Sequence, residues 1–342
     1  MNQINTRMND LPQIVITIGD PNGIGPEIIL KVLSDGVLEK KCRTIVVGPT
    51  TVMSAYMEMS SLSFRGHVVH DLSERTAQAH NVVFFDPGFD VNYTPQPGRL
   101  HPLAGEIAGK ALDFACQILA AKKADAVVTA PLSKKALNLA GFRYPGQTEF
   151  FAKKAGIDNI VMVMLGKDLR IALATTHCPL RNVPGMLSKE LLLSKLQILN
   201  LDLQERFNLP RPKIGVAALN PHAGESGLFG FEEQEILLPA VQEAQHLGIN
   251  AHGPYPADTL FARHKHHGFD AYLAMYHDQG LIPVKMAAFG SGINYTAGLP
   301  FIRTSPDHGT AFDIAGKGMA DPNSMKEAIK LAADLASKTK SR

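Results

Sequence analysis

Cysteine is scarce: Cys42, Cys116 and Cys178 are the only three among 342 residues. They are odd in number, far apart and form no C-x-x-C pair, which excludes a disulfide framework and a cysteine zinc knuckle and points to a reducing cytoplasm. An excess of either charge is also missing. The 34 Lys+Arg and 32 Asp+Glu leave a formal net charge of +2, so no broad basic surface is available to nucleic acid or anionic lipid, and an anionic partner must be met locally. No window approaches the ~20 apolar residues of a membrane span, and Met1 to Pro12 lacks the apolar core of a signal peptide. The chain contains neither an internal repeat nor a low-complexity tract.

What is present is the composition of a folded protein, 45% hydrophobic and 19% charged. The length corresponds to about two domains of ~150 residues. Short β-rich runs alternate with helix-period stretches, which predicts an α/β fold with a mainly parallel sheet covered by helices. Ile14 to Ile18 reads as a buried strand, Gly19 to Gly25 as a tight loop, and Pro26 as the opening of a helix at Glu27. Ile45 to Val47 and Ala126 to Thr129 are further strands, with a helix over Ala104 to Lys123 between them. Ser188 caps a helix running through Phe207, whose face is Leu191, Leu192, Lys195, Leu196 and Leu199. Glu232 to Leu247 is another helix, stopped by Gly248. Pro95 to Pro102 reads as a loop-like joint, and a domain boundary falls near Pro131.

Three strands, Ile171 to Thr176, Ile214 to Leu219 and Ala271 to Met275, each run directly toward a histidine: His177, His222 and His277. In a parallel sheet all carboxyl ends lie along one edge, where open α/β folds place ligands, so these imidazoles can converge without a local motif. Three imidazoles and an open position suit one catalytic divalent metal, zinc first, with cobalt or magnesium as alternatives. A strand-end histidine taken singly is more often a hydrogen-bonded surface residue. His264, His266 and His267 sit beside Arg263 and Lys265 and read as a solvated loop.

Gly19-Asp20-Pro21-Asn22-Gly23-Ile24-Gly25-Pro26-Glu27 allows close backbone approach by a ligand, yet matches neither stock phosphate motif. Ile28 stands where the dinucleotide fingerprint needs a third glycine, and Gly-Lys-Ser/Thr is absent. The loop therefore reads equally as a structural turn or a binding loop. Near the C-terminus, Lys285, Asn294 and Arg303 lie in a glycine-bearing polar stretch. Arg303 offers a planar fork and Lys285 a point charge, a pair suited to a substrate with two acidic groups. The tract from Asp307 to Gly318 mixes glycine, a hydroxyl and acids as a nucleotide-contacting loop does, with Gly309, Thr310 and Asp313 as its candidate contacts.

Seven motifs then occur in order: Gly-Asp-Pro-Asn-Gly-Ile-Gly-Pro-Glu (19 to 27), Pro-Gly-Gln-Thr-Glu-Phe (145 to 150), Ala-Thr-Thr-His (174 to 177), Asn-Pro-His-Ala-Gly-Glu (220 to 225), Pro-Ala-Asp-Thr-Leu-Phe (256 to 261), Met-Tyr-His-Asp-Gln-Gly (275 to 280) and Gly-Leu-Pro-Phe-Ile-Arg-Thr-Ser (298 to 305). Together they resemble the 4-hydroxythreonine-4-phosphate dehydrogenase family of pyridoxal phosphate biosynthesis, over about residues 12 to 338. The resemblance implies a two-domain fold like that of isocitrate and isopropylmalate dehydrogenases, with an interdomain cleft. Residues 1–130 plus 281–342 would form the nucleotide-binding domain, and 131–280 the metal, substrate and dimerisation domain. It also implies a cytoplasmic homodimer with its active site at the subunit interface, no nucleic acid or membrane partner, and one divalent ion (Zn, Mg or Co) held by His177, His222 and His277. Thr148, Lys285, Asn294 and Arg303 would contact substrate.

One position departs from the family pattern: Gln147 stands where many members have histidine, and glutamine can hydrogen-bond a phosphate but carries no charge. The implied reaction is NAD- or NADP-dependent oxidation of 4-phosphooxy-L-threonine, with loss of carbon dioxide to give 3-amino-2-oxopropyl phosphate. Lys285 is the expected auxiliary anion contact or proton-transfer group. Asp258 and Asp278 are candidates for proton transfer or for orienting the metal ligands. The alternatives are a paralogous dehydrogenase of D-threonate or D-erythronate 4-phosphate, a three-histidine zinc hydrolase or aldolase that needs no nucleotide, and a non-catalytic scaffold with a closed four-ligand metal site.

Overall fold

The computed structural model describes residues 11–63, 66–73, 79–89 and 93–340; most of the Met1 to Pro12 stretch lies outside them. The chain forms two compact units, Met1–Gly156 with Pro300–Arg342, and Ile157–Leu299. The first contains six parallel strands in the order β3 (His67–Val69), β4 (Val82–Phe85), β2 (Arg43–Val47), β1 (Gln13–Thr17), β5 (Ala126–Thr129), β12 (Ile302–Pro306). All residues of β4, β5 and β12 are buried, as in a parallel sheet covered on both faces, and β4 reads as a continuous apolar run rather than an alternating one, whereas β12 buries Arg303, Thr304 and Ser305. The C-terminal helix Asn323–Lys340 lays Met325, Ala328, Ile329 and Ala332 on β5 and β12, and thereby ties the last segment of the chain to its first.

The second unit has the order β11 (Ile293–Ala297), β6 (Val161–Gly166), β7 (Leu169–Leu173), β10 (Ala271–Ala274), β8 (Ile214–Ala217), β9 (Ala251–Tyr255). Pairing is antiparallel from β11 through β6 to β7 and parallel from β7 through β10 and β8 to β9. Its core gathers Leu169, Ile171, Leu173, Tyr272 and Ala274 from the sheet with Val284 and Ala288 from the helix His277–Ala288. The helix Lys189–Glu205 starts as its sequence predicts, with Ser188 Oγ accepting from Leu191 N at 3.1 Å, and buries Leu192, Leu196, Leu199 and Leu203 at helical spacing. Among the described residues no helix is long and apolar enough to cross a membrane.

Three expectations need correction. The units divide after Gly156 and Leu299 rather than at 130 and 280. The helices Lys134–Leu139 and Gln147–Ala155 pack on the helix Pro102–Ala120 of the first unit, while His277–Ala288 and β11 pack on β6 of the second. The Pro95 to Pro102 stretch is no joint, because Gln96 N and Gly98 N donate to Asn22 Oδ1 and O at 2.7 and 2.8 Å and hold it inside the first unit. The single helix expected from Glu232 to Leu247 is a π-helical turn, Glu233–Leu237, followed by an α-helix, Leu238–His246. Pro239 has no N–H to give to the turn before it, which is where the two segments meet.

Candidate active site

In the first unit, β12 lies beside β5 with Arg303 in register with Val127. This carries the Arg303 guanidinium into a buried position at 3% exposure. Its Nη1 donates to Thr148 Oγ1 at 3.1 Å, and its Nη2 donates to Thr129 Oγ1 at 2.8 Å and to Gln147 Oε1 at 3.1 Å. Those three acceptors are neutral. Burial lowers the guanidinium to about 10, with Glu149 acting in the opposite direction. Gln147 is itself oriented by donation from Nε2 to Ala130 O at 2.9 Å. A buried guanidinium oriented by these hydroxyl and amide oxygens is suited to an anionic group, since its planar fork is already fixed when the anion arrives. The sequence marks Arg303, Thr148 and Gln147; Thr129 is an addition, legible beforehand only as the last residue of a buried strand.

The two loops read as ligand-binding candidates meet each other in the same unit. Ile24 N donates to Thr310 O at 3.0 Å, and a Cβ on Gly23 would lie 3.0 Å from the Thr310 Cβ, so the glycine-rich loop and the 309–313 loop require each other. Gly19, at φ 74°, is pressed on Pro131, whose carbonyl oxygen would stand 2.3 Å from any Cβ placed there. The side chains of this loop serve the fold: buried Asn22 accepts from Tyr93 Oη at 2.9 Å and donates to Arg99 O at 2.7 Å. Asp20 is fully buried, and desolvation pushes its carboxyl up to about 6. Gly309 and Asp313 are exposed and Thr310 half-buried.

The second unit holds the histidines. β7, β10 and β8 are adjacent and parallel, so His177, His277 and His222 all follow carboxyl ends on one sheet edge. His177 and His277 are brought together, with ring centroids 5.5 Å apart. Two imidazoles sharing a tetrahedral ion through ~2.1 Å bonds have ring centres roughly 5 Å apart, so this pair fits a common metal. The His277 Nδ1 lies 2.7 Å from Asp278 Oδ1. With the proton on Nδ1, that contact leaves Nε2 as the ligating nitrogen. His222 stands apart from the pair, its ring 6.1 Å from that of Phe229. Among the described residues, no three His, Cys, Asp or Glu side chains are assembled as a metal centre.

His222 begins a run in the left-handed region: His222, Ala223, Glu225 and Ser226 have φ between 42° and 57°, and Gly224 has φ 78°. Each non-glycine residue there costs roughly 1–2 kcal/mol, so the turn persists only where its surroundings impose it.

Asp258 and Asp278, both exposed, line one groove of about 610 Å³ with Tyr276, Gln279, Ile282 and Met286. Lys285 is exposed on the helix His277–Ala288, and Asn294 is half-buried on β11, its Oδ1 inaccessible and without a hydrogen-bond partner among the described residues. Gln279 went unmarked in the sequence: its Oε1 accepts from Met275 N and its Nε2 donates to Ala218 O, both at 2.7 Å, joining the ends of β10 and β8 behind the histidines.

A family model described as pyridoxal phosphate biosynthetic protein PdxA matches residues 40–332. A 4-hydroxythreonine-4-phosphate dehydrogenase of Erythrobacter litoralis (strain HTCC2594) is 42% identical over 327 residues, covering 95% of this chain and 97% of that one. The crystal structure of a 4-hydroxythreonine-4-phosphate dehydrogenase from Burkholderia phymatum superposes with a TM-score of 0.82 at 39% identity, covering 95% of this chain and 98% of the other. A terephthalate 1,2-cis-dihydrodioldehydrogenase from Burkholderia xenovorans LB400 is more distant, at 28% identity and a TM-score of 0.64, covering 94% and 98%. The motifs, the α/β architecture and these full-length likenesses agree: the chain belongs to the PdxA family of pyridoxal phosphate biosynthetic proteins.

Proposed function

We propose that this chain oxidises the secondary alcohol of 4-phosphooxy-L-threonine with NAD or NADP and a divalent metal, and that the β-keto acid so formed loses carbon dioxide to give 3-amino-2-oxopropyl phosphate. The observation that carries it within the family is the buried Arg303 fork with Thr148, Thr129 and Gln147 around it. A phosphate monoester is the dianion such a fork takes bidentately.

Arg303, Thr148 and Gln147 bind the phosphate end, while Lys285 and Asn294 bind the remaining polar groups of the substrate. His177, His222 and His277 would hold the ion, and Gly309, Thr310 and Asp313 would contact the nucleotide. Bound there, a divalent ion supplies Lewis-acid polarisation of the alcohol and carbonyl oxygens, and the nicotinamide supplies the electron-pair acceptor. Lys285 and Asp258 are placed in the proton-transfer role. Asp278 keeps His277 oriented through the 2.7 Å contact at Nδ1.

A homodimer belongs to the same proposal. Ile282, Met286 and Phe289 are 58%, 69% and 88% exposed at the helix that begins with His277, an apolar surface that a second copy would cover. A cytoplasmic setting agrees with the three free cysteines, of which Cys42 and Cys116 have thiols pushed up to about 12 by burial.

The test is a comparison of kcat/KM for 4-phosphooxy-L-threonine, D-threonate 4-phosphate and D-erythronate 4-phosphate, each with NAD or NADP and with Co²⁺, Zn²⁺ or Mg²⁺. The first substrate is expected to be preferred with at least one nucleotide and metal. Preference for a threonate or erythronate phosphate would reassign the substrate, and no nucleotide reduction with any of them would overturn the dehydrogenase assignment.

A further inference from the structure

Glu233 is nearly inaccessible, at 3% exposure, yet the chemistry above gives it no task. Its carboxylate collects N–H donors from the chain just before His222. Oε1 accepts from Leu219 N at 2.9 Å and from Asn220 N at 2.7 Å, and Oε2 accepts from Asn220 Nδ2 at 3.0 Å. Glu232 Oε2 takes a further bond from the same Nδ2 at 2.7 Å. The carboxylate also lies against the middle of the left-handed turn: a Cβ on Gly224 would be 2.6 Å from Glu233 Oε2.

Two independent rarities therefore face each other. One is the left-handed run that starts at His222, and the other is the π-helical turn Glu233–Leu237, whose first residue is the buried glutamate. π-turns are uncommon and recur at functional sites, because the extra residue re-aims a side chain. Here that side chain is aimed at the two peptide groups that set where β8 ends and the His222 turn begins.

We infer that Glu233 is the positioning residue of His222: by fixing Leu219, Asn220 and the Gly224 turn, it sets the backbone from which the imidazole turns to join His177 and His277 on one ion. This rests on the assignment of His222 as a metal ligand. Outer-shell groups that fix a ligand typically change metal affinity by about 10–100-fold when removed.

The test uses the full-length chain freed of metal and titrated with Co²⁺ alone, read by calorimetry and by the visible absorption of the bound ion, for wild type, Glu233→Ala, Glu233→Gln and His222→Ala. Glu233→Ala is expected to weaken Co²⁺ binding about 10–100-fold and to move the visible spectrum toward that of His222→Ala. Glu233→Gln keeps an oxygen for the two backbone N–H groups and should recover part of the loss. A purely structural Glu233 would lower the melting temperature of the metal-free protein and leave the Co²⁺ affinity of the folded protein unchanged. That result, with His222→Ala weakened, overturns the positioning role while leaving the ligand assignment intact. Wild-type affinity in His222→Ala overturns the ligand assignment and the positioning role together. Should Glu233→Ala not fold, Asn220→Ala removes the side-chain links to Glu233 and Glu232 while the backbone N–H bonds to Glu233 remain, and a several-fold loss of affinity is expected; no loss counts against the role.

Discussion

Arg303 Nη2 donates to the hydroxyl of Thr129 at 2.8 Å across two neighbouring parallel strands, so the cation is oriented by the sheet itself. Thr129→Val keeps the shape and removes one acceptor. A single hydrogen bond contributes about 0.5–1.5 kcal/mol, so KM for the phosphorylated substrate should rise roughly 2- to 10-fold with kcat little changed. Arg303→Lys replaces the planar fork by a point charge and should raise KM about 10–100-fold. Steady-state kinetics checks both; a fall in kcat at constant KM would contradict a role in holding the substrate alike in ground and transition state.

Asp20 gives a pH dependence of stability. Its carboxyl is pushed up from 3.8 to about 6 by desolvation, so between those values the folded chain keeps a proton that the unfolded chain has lost. Stability therefore falls as pH rises through this window, by up to ~3 kcal/mol, and remains lower above it. Asp20→Asn cannot ionise. It should melt above wild type at pH near 8 and level with it at pH near 4, as measured by calorimetry; an advantage at the acid end only would contradict the assignment.

Asp278 Oδ1 lies 2.7 Å from His277 Nδ1, the contact that would orient this ring as a metal ligand. Asp278→Ala frees the imidazole to change tautomer and orientation, and should weaken divalent-metal affinity about tenfold while the metal-free melting temperature stays near that of wild type. Calorimetric titration with Co²⁺ decides it; unchanged affinity removes Asp278 from the metal's surroundings.

Ser188 caps the helix Lys189–Glu205, which carries none of the proposed ligands, through the 3.1 Å bond from Leu191 N. Ser188→Ala should lower stability by about 1 kcal/mol in denaturant unfolding and leave kinetic constants unchanged. A loss of activity without a loss of stability would mean that the helix does more than support the sheet.

The alternation of strands and helices was legible because parallel strands are buried on both faces: Ile14 to Ile16 and Ala126 to Val128 appear as unbroken apolar runs. The three strand-end histidines were legible for the same reason, since β7, β10 and β8 all point one way. Domain limits were not, because they depend on which sheet a helix packs against, and the apolar faces of Gln147–Ala155 and His277–Ala288 do not name their partners. Pro95 to Pro102 has the composition of a linker, yet hydrogen bonds to Asn22, more than seventy residues earlier, fix it in place. Arg303 reads in sequence as a fork for an anion, but its burial does not show there; only the pairing of β12 with β5 buries it. Glu233 carries no local signal, because its task is set by backbone N–H groups thirteen and fourteen residues away.

The most direct measurement is the rate of nicotinamide reduction with 4-phosphooxy-L-threonine by chelator-treated protein, before and after Co²⁺ is restored, with His277→Ala in parallel. Turnover should be absent without the ion, return on its addition to wild type, and stay absent in His277→Ala although that variant melts cooperatively. Full turnover in the chelated protein, or in His277→Ala, would mean that oxidation does not proceed at the strand-end histidines.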